Sequence, residues 1–165
     1  MKDVILYPDP ILREKHKGLP KAEQIPDLIK EMEQVLIANN ALGLAAPQVG
    51  LPYRMFIAIM DGSIFEFVNP TLTYISDRYS EEEEACLSLP GIKGLVKRPR
   101  VVNIKAKDRW GTELNTAVKG IYARIVQHEM DHLNGTLFID RMKLADREAI
   151  LPQLRELESA GWGDK

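Results

Sequence analysis

The chain has 165 residues, of which 45% are hydrophobic and 28% charged, and a formal net charge of −2. That is enough for one domain, read here as residues 1–165, and the charge balance excludes a general attraction to DNA or to an anionic membrane. The lone cysteine, Cys86, excludes an internal disulfide and fits a reducing compartment, while MKDVILYPDP lacks a signal-peptide core and LGLAAP and MFIAIM are too short to cross a bilayer, so a cytoplasmic protein is expected.

Residues 22–40 predict an amphipathic helix, because Ile25, Leu28, Ile29, Met32, Val35 and Leu36 recur at spacings of three and four. Residues 54–60 and 64–68 are β-prone and flank Asp61-Gly62, a hairpin signal. A further extended piece follows Asn69-Pro70. Glu81 and Glu82 are expected in a solvated loop. Residues 100–107 alternate, with Val102, Ile104 and Ala106 on one face, and residues 112–119 pair with them across Arg109-Trp110-Gly111. Residues 119–134 predict a second helix stopped by Asn134-Gly135. Its flanking apolar residues Ile121, Ile125, Val126 and Leu133 predict that it is buried. Residues 145–159 are helical again, with Pro152 either kinking that helix or starting a new one. A helix, several strands and two more helices favour an α+β fold with mostly antiparallel sheet.

The second helix carries HEMDH at 128–132. His128 and His132 stand at i and i+4, so their rings point the same way, one turn apart, and can grip one metal ion. Glu129 is rotated about 100° from His128 and can lie beside the ion as a general base. A catalytic site needs a third protein ligand. At the spacing where metzincins place their last histidine this chain has Phe138. Glu148, the first downstream glutamate, sits in an exposed-looking stretch. Cys86 is the remaining candidate, and a thiolate with two imidazoles suits zinc or iron. Glu84 and Asp131 are the acids nearest the ligands, with Arg98 and Arg100 as counter-charges. Arg124 is expected in a structural ion pair.

GLAAPQVG at 43–50, EACLSLPG at 84–91 and QHEMDHLNG at 127–135 together resemble the three signature blocks of the peptide deformylases. Their order and separations match, and ILYPDPILREKHKG resembles that family's opening; the likeness runs to about residue 142. The resemblance implies mostly antiparallel sheets around a central helix bearing HExxH, with an N-terminal and a C-terminal helix, residues 143–165 forming the C-terminal extension. It implies one divalent metal on Cys86, His128 and His132, Fe2+ in the cell and Zn2+, Ni2+ or Co2+ in preparations. Glu129 would be the base and proton carrier, and Gln48 and the backbone N–H of Leu87 would stabilise the oxyanion. The reaction would be hydrolysis of the N-formyl group from the initiator methionine of nascent chains, with release of formate. Gly43 and Leu44 would line the cleft together with Gly91, and Leu42, Ile121 and Ile125 are candidate walls for the methionine side chain. The segment after Pro90 offers a strand edge to a peptide.

Two positions depart from the family pattern: Ala41 and Ala85 stand where glycine is usual. If the glycine serves a positive φ, alanine costs on the order of 1 kcal/mol; if it serves clearance, the added methyl narrows the cleft. The second reading is therefore a degenerate relative with an altered substrate or a non-hydrolytic, peptide-binding role. Residues 141–165 balance five basic against five acidic residues, so contact with the ribosome is expected to be weak or transient. A bacterial, phage-encoded or organellar origin fits equally.

Overall fold

A computed structural model describes residues 1–163. Five antiparallel strands form one sheet: β1 (Gly43–Ala45), β2 (Met55–Met60), β3 (Ser63–Ile75), β6 (Val101–Lys107) and β7 (Glu113–Lys119), in that spatial order. A separate two-stranded sheet pairs β4 (Tyr79–Ala85) with β5 (Lys93–Pro99). The helices are α1 (Ile25–Ala38), α2 (Gly120–Leu133), α3 (Leu144–Ala149) and α4 (Leu151–Gly163). The α+β expectation holds.

MFIAIM is apolar throughout because β2 is covered on both faces. Met55 and Ile57 pack with Ile29, Met32, Val35 and Leu36 of α1. Phe56, Ala58 and Met60 face the other way, against Ala123, Val126, Met130 and Leu133 of α2. Phe56 and Phe67 stack with ring centroids 4.6 Å apart. A third core joins Leu12, Leu89, Ile92 and Val96 to Phe138, Ile139, Ile150 and Leu154. It seats the β4–β5 hairpin between the N-terminal segment and the chain after α2.

Asp61 and Gly62 both take positive φ (50° and 77°), the hairpin geometry their sequence signals. The expected strand 64–68 and the extended piece beyond it are one strand, β3, whose register slips between Val68 and Thr71, where Asn69 is left-handed. Pro152 starts a new helix, α4, because its missing N–H costs nothing in a first turn. Glu81 and Glu82 are not in a loop: they lie on β4, paired with Lys97 and Val96, and stay exposed because their side chains face solvent. α2 is largely buried as expected, but Ile121 is 55% exposed, since it sits on the first turn at the rim of a cleft.

Gly135 (φ 72°) ends α2 and lets the N-terminal segment cross at close range: a Cβ there would run into the backbone of Arg13. His16 N–H donates to Leu133 O at 2.8 Å in the same crossing. Truncating Phe67 to alanine removes half of the buried aromatic stack, and the expected cost is about 3–5 kcal/mol in urea unfolding. A loss below about 1 kcal/mol would mean that the stack does not organise this core.

Candidate metal centre

α2 carries His128 and His132, and Cys86 follows directly on β4. The tertiary fold brings one donor atom from each to within 4.8 Å of the others. Cys86 Sγ lies 3.3 Å from His132 Nε2. Donors about 2.0–2.3 Å from a tetrahedral ion stand roughly 3.3–3.8 Å apart, so the Cys86–His132 pair is already at ligand spacing. Of the alternatives for a third ligand, Glu148 is exposed on α3. Phe138 instead packs its ring on His128, with centroids 6.0 Å apart.

The imidazoles are not equivalent. His128 Nδ1–H donates to Glu84 Oε1 at 2.9 Å, which fixes the ring and leaves Nε2 to face the cleft. Burial, and then the charges of His128 and Arg98, hold the His132 pKa well below its usual value. It therefore stays neutral and keeps a lone pair for a cation. Two buried polar atoms, His132 Nδ1 and Glu129 Oε2, have no partner among the described residues. Orphans of this kind mark a site built to hold something further, such as an ion or ordered water. A soft thiolate and two imidazoles with an unpartnered carboxylate beside them fit a divalent transition metal.

Glu129 is 4% exposed, and burial pushes its pKa up to about 7, against the pull of His128. It has room only because residue 43 is glycine. A Cβ on Gly43 would lie 2.7 Å from Glu129 Oε1. Gln48 is held in a short 3-10 turn, Ala46–Val49, where its Oε1 accepts from Ala45 N–H at 2.9 Å. Its Nε2 thereby points at the site, 3.2 Å from Ser88 Oγ and 3.4 Å from Cys86 Sγ.

A cleft of about 500 Å³ opens onto these groups. Leu42, Gly43, Leu87, Gly91, Ile121 and Ile125 line it. Leu44 does not: its side chain is fully buried against α1, because alternation along β1 turns it to the far face. β1 is an edge strand of its sheet among the described residues and borders the cleft; of the segment after Pro90, Gly91 lines the cleft, whereas no residue of β5 does. Ala41 and Ala85 also line the cleft, and neither has positive φ. The left-handed turn falls on Asn40 (φ 50°). The alanines thus carry no backbone strain and act through the space that their methyls fill.

The sequence pointed to Glu84, Asp131, Arg98 and Arg124 but not to which acid meets which base in the polar knot behind the site. Glu84, 6% exposed, accepts from Arg98 Nε at 2.6 Å and Nη2 at 2.9 Å, from Arg124 Nη1 at 2.6 Å and from His128. Arg98 Nη1 also donates to Asp131 at 2.9 Å, and Arg141 grips Asp131 through Nε and Nη2. Arg98 is thus the counter-charge; Arg100 is exposed and pairs with no acid among the described residues, since it lies past the end of β5. Arg124 makes the structural ion pair expected of it. Burial alone would raise the Glu84 pKa, but hydrogen bonds from Arg98 and His128 outweigh it and hold the carboxyl at about 2.

Because the folded-state pKa of Glu84 is depressed, its contribution to stability is present above the ordinary carboxylate value and is lost as pH falls toward 2. Arg98→Met should cost about 3–5 kcal/mol at pH 7, since it strands a buried carboxylate. The cost should shrink as Glu84 becomes protonated, measured by urea unfolding at pH 7 and pH 3. An equal cost at both pH values would show that the Glu84 charge is not what Arg98 neutralises.

The family model for polypeptide deformylase matches residues 1–148. The chain is 38% identical over 161 residues to "Peptide deformylase 1B, chloroplastic" of Oryza sativa, covering 94% of this chain and 60% of the rice protein. It is 34% identical over 166 residues to the peptide deformylase of Maricaulis maris, covering 97% of this chain and 95% of that one. A solved Plasmodium falciparum peptide deformylase in complex with an inhibitor superposes with a TM-score of 0.89 at 37% identity, covering 95% of this chain and 99% of that one. With its fold, its three signature blocks and these relatives in agreement, the chain belongs to the peptide deformylase family.

Proposed function

We propose that this protein is a metal-dependent hydrolase that removes the N-formyl group from the initiator formyl-methionine of nascent polypeptides and releases formate. The observation that carries the reading is the convergence of Cys86, His128 and His132 in a cleft flanked by Glu129 and Gln48. Membership of the family gives the reaction class, and nothing found favours the degenerate, non-hydrolytic alternative.

Cys86, His128 and His132 would hold one divalent ion, which we read as Fe2+ in the cell. When bound, that ion supplies Lewis acidity for the formyl oxygen and for the attacking water. The chain's own residues do the rest. Gln48 Nε2, aimed by the Ala45 N–H, donates to the oxyanion as it develops, together with the backbone N–H of Leu87. One such donor is worth about 3 kcal/mol of barrier. Glu129 takes a proton from water and hands it to the leaving amine. Its buried carboxyl, near pKa 7, is matched to both halves of that transfer at neutral pH. An extended peptide lies along the free edge of β1, with its first side chain between Leu42, Ile121 and Ile125.

The methyls of Ala41 and Ala85 crowd the cleft, which favours the small formyl hydrogen over an acetyl methyl. We read residues 1–165 as one catalytic domain, since α2 forms a wall of the main core and carries two of the ligands. The balanced charge of residues 141–165 supports no more than transient contact with the ribosome. Among the described residues no helix is long and apolar enough to cross a membrane. Bacterial and chloroplast relatives support a bacterial cytosol or an organelle as the setting.

The direct test is formate release from N-formyl-Met-Ala-Ser by anaerobically purified protein loaded with Fe2+ or Ni2+, with the N-acetyl peptide as control. Turnover of the formyl peptide alone supports the reading; no turnover with one ion bound per chain rejects it. Glu129→Gln should keep the ion and lose at least about a hundredfold in turnover, and retention of most of the rate would remove Glu129 as the base. Cys86→Ser should lose the ion on dialysis, and a full complement of metal would exclude Cys86 as a ligand. Gly43→Ala should lower kcat about tenfold or more by displacing Glu129, with little change in melting temperature; an unchanged kcat would show that Glu129 need not occupy its present position.

A further inference from the structure

The ligands for the ion come from two bodies. His128 and His132 belong to α2, which packs on the five-stranded sheet. Cys86 belongs to the β4–β5 hairpin, whose strands pair only with each other and join that sheet through a crossing where Ser76 N–H donates to Val101 O at 2.9 Å and Arg100 N–H to Arg78 O at 2.8 Å. The distance between thiolate and imidazoles is therefore set by how the hairpin sits on the helix.

Arg124 spans that junction. It lies one helical turn before His128 and is 7% exposed. Its Nη1 donates to Glu84 Oε2 at 2.6 Å and to Val96 O at 2.8 Å, reaching β4 and β5 together. Its Nη2 donates to Ser80 O at 2.9 Å and Ser80 Oγ at 3.2 Å, near the start of β4. Arg98 makes the reciprocal crossing, from β5 to Asp131 on α2. The partners of Arg124 thus extend over β4 from Ser80 to Glu84, two residues before Cys86. It also lines the cleft, but both terminal nitrogens are already engaged, and its Nε lies 3.6 Å from Glu82 Oε2.

We propose that Arg124 is a positioning residue: by clamping both strands of the hairpin to α2 it fixes the distance from Cys86 Sγ to the two histidines, and through Glu84 the orientation of the His128 ring. This rests on the reading of those three residues as metal ligands. A planar fork is suited to the task because it fixes direction as well as charge. A lysine keeps the charge but cannot reach Glu84, Val96 and Ser80 at once.

The test compares Co2+-loaded wild type, Arg124→Met, Arg124→Lys and, as a control, Arg109→Met. Arg109 pairs with Glu66 at 2.8 Å and with Glu33 away from the cleft. The readouts are the thiolate-to-cobalt charge-transfer absorption, the rate of metal loss to a chelator, and the melting temperature. The expected result is a shifted or weakened band and metal loss faster by about ten- to a hundredfold in Arg124→Met, with Arg124→Lys between it and wild type. Arg109→Met should lower the melting temperature while its band and metal-loss rate stay as in wild type. If Arg124→Met loses thermal stability but keeps both the band and the rate within twofold, Arg124 is a structural bolt and the inference fails. If Arg124→Met does not fold, Arg124→Lys carries the same comparison. A wild type without the thiolate band would overturn the ligand assignment itself, and the inference with it.

Discussion

One buried carboxylate holds the working part of this molecule together. Glu84 receives hydrogen bonds from two arginines and a histidine, which come from both the hairpin and the central helix. Such a carboxylate is stable in a dry interior only because the cations around it replace the water it gave up. The same constraint works in reverse. A hairpin that buries Glu84 cannot drift without stranding a charge, so the electrostatics make its seat on α2 narrow. Cys86, two residues further along the chain, inherits that precision.

Around this knot the hydrophobic cores divide the labour. α1 and α2 cover opposite faces of the sheet, while the third core ties the N-terminal segment, the hairpin and α4 into one packed unit. The cleft opens where these bodies meet, between the free edge of β1 and the turn after β4. Its floor is polar and buried and its rim is apolar, with Leu42 and Ile121 each more than half exposed. The outer edge of β1 and these apolar side chains thus stand above the buried polar floor.

Small residues set the clearance. Gly43 is needed because Glu129 occupies the space that any side chain would take. Ala41 and Ala85 sit at positions with ordinary backbone angles, so their methyls occupy cleft volume without straining the chain. The difference is physical: at Gly43 a Cβ would meet a buried carboxyl, whereas Ala41 and Ala85 already carry theirs on the cleft lining, Ala41 also packing against the α1 core.

The histidine pair, its adjacent glutamate and the helix that presents them could be read from spacing, because an α-helix repeats every 3.6 residues and HEMDH lies within one and a half turns. The hairpin turn at Asp61-Gly62 and the stop at Asn134-Gly135 could be read for the same reason, since their signals are local. Cys86 stands 42 positions before His128, and no periodicity links them; a likeness to known blocks pointed to it, and the fold brings its sulfur beside the imidazoles. The pairing of Glu84 with Arg98 and Arg124 had no local signal at all, and neither did the burial of Leu44 or the strand under Glu81 and Glu82. Which acid meets which base, and which face of a strand meets the core, depends on how separate elements dock. Docking is fixed by long-range packing and the neutralisation of buried charge, and neither leaves a pattern in neighbouring residues.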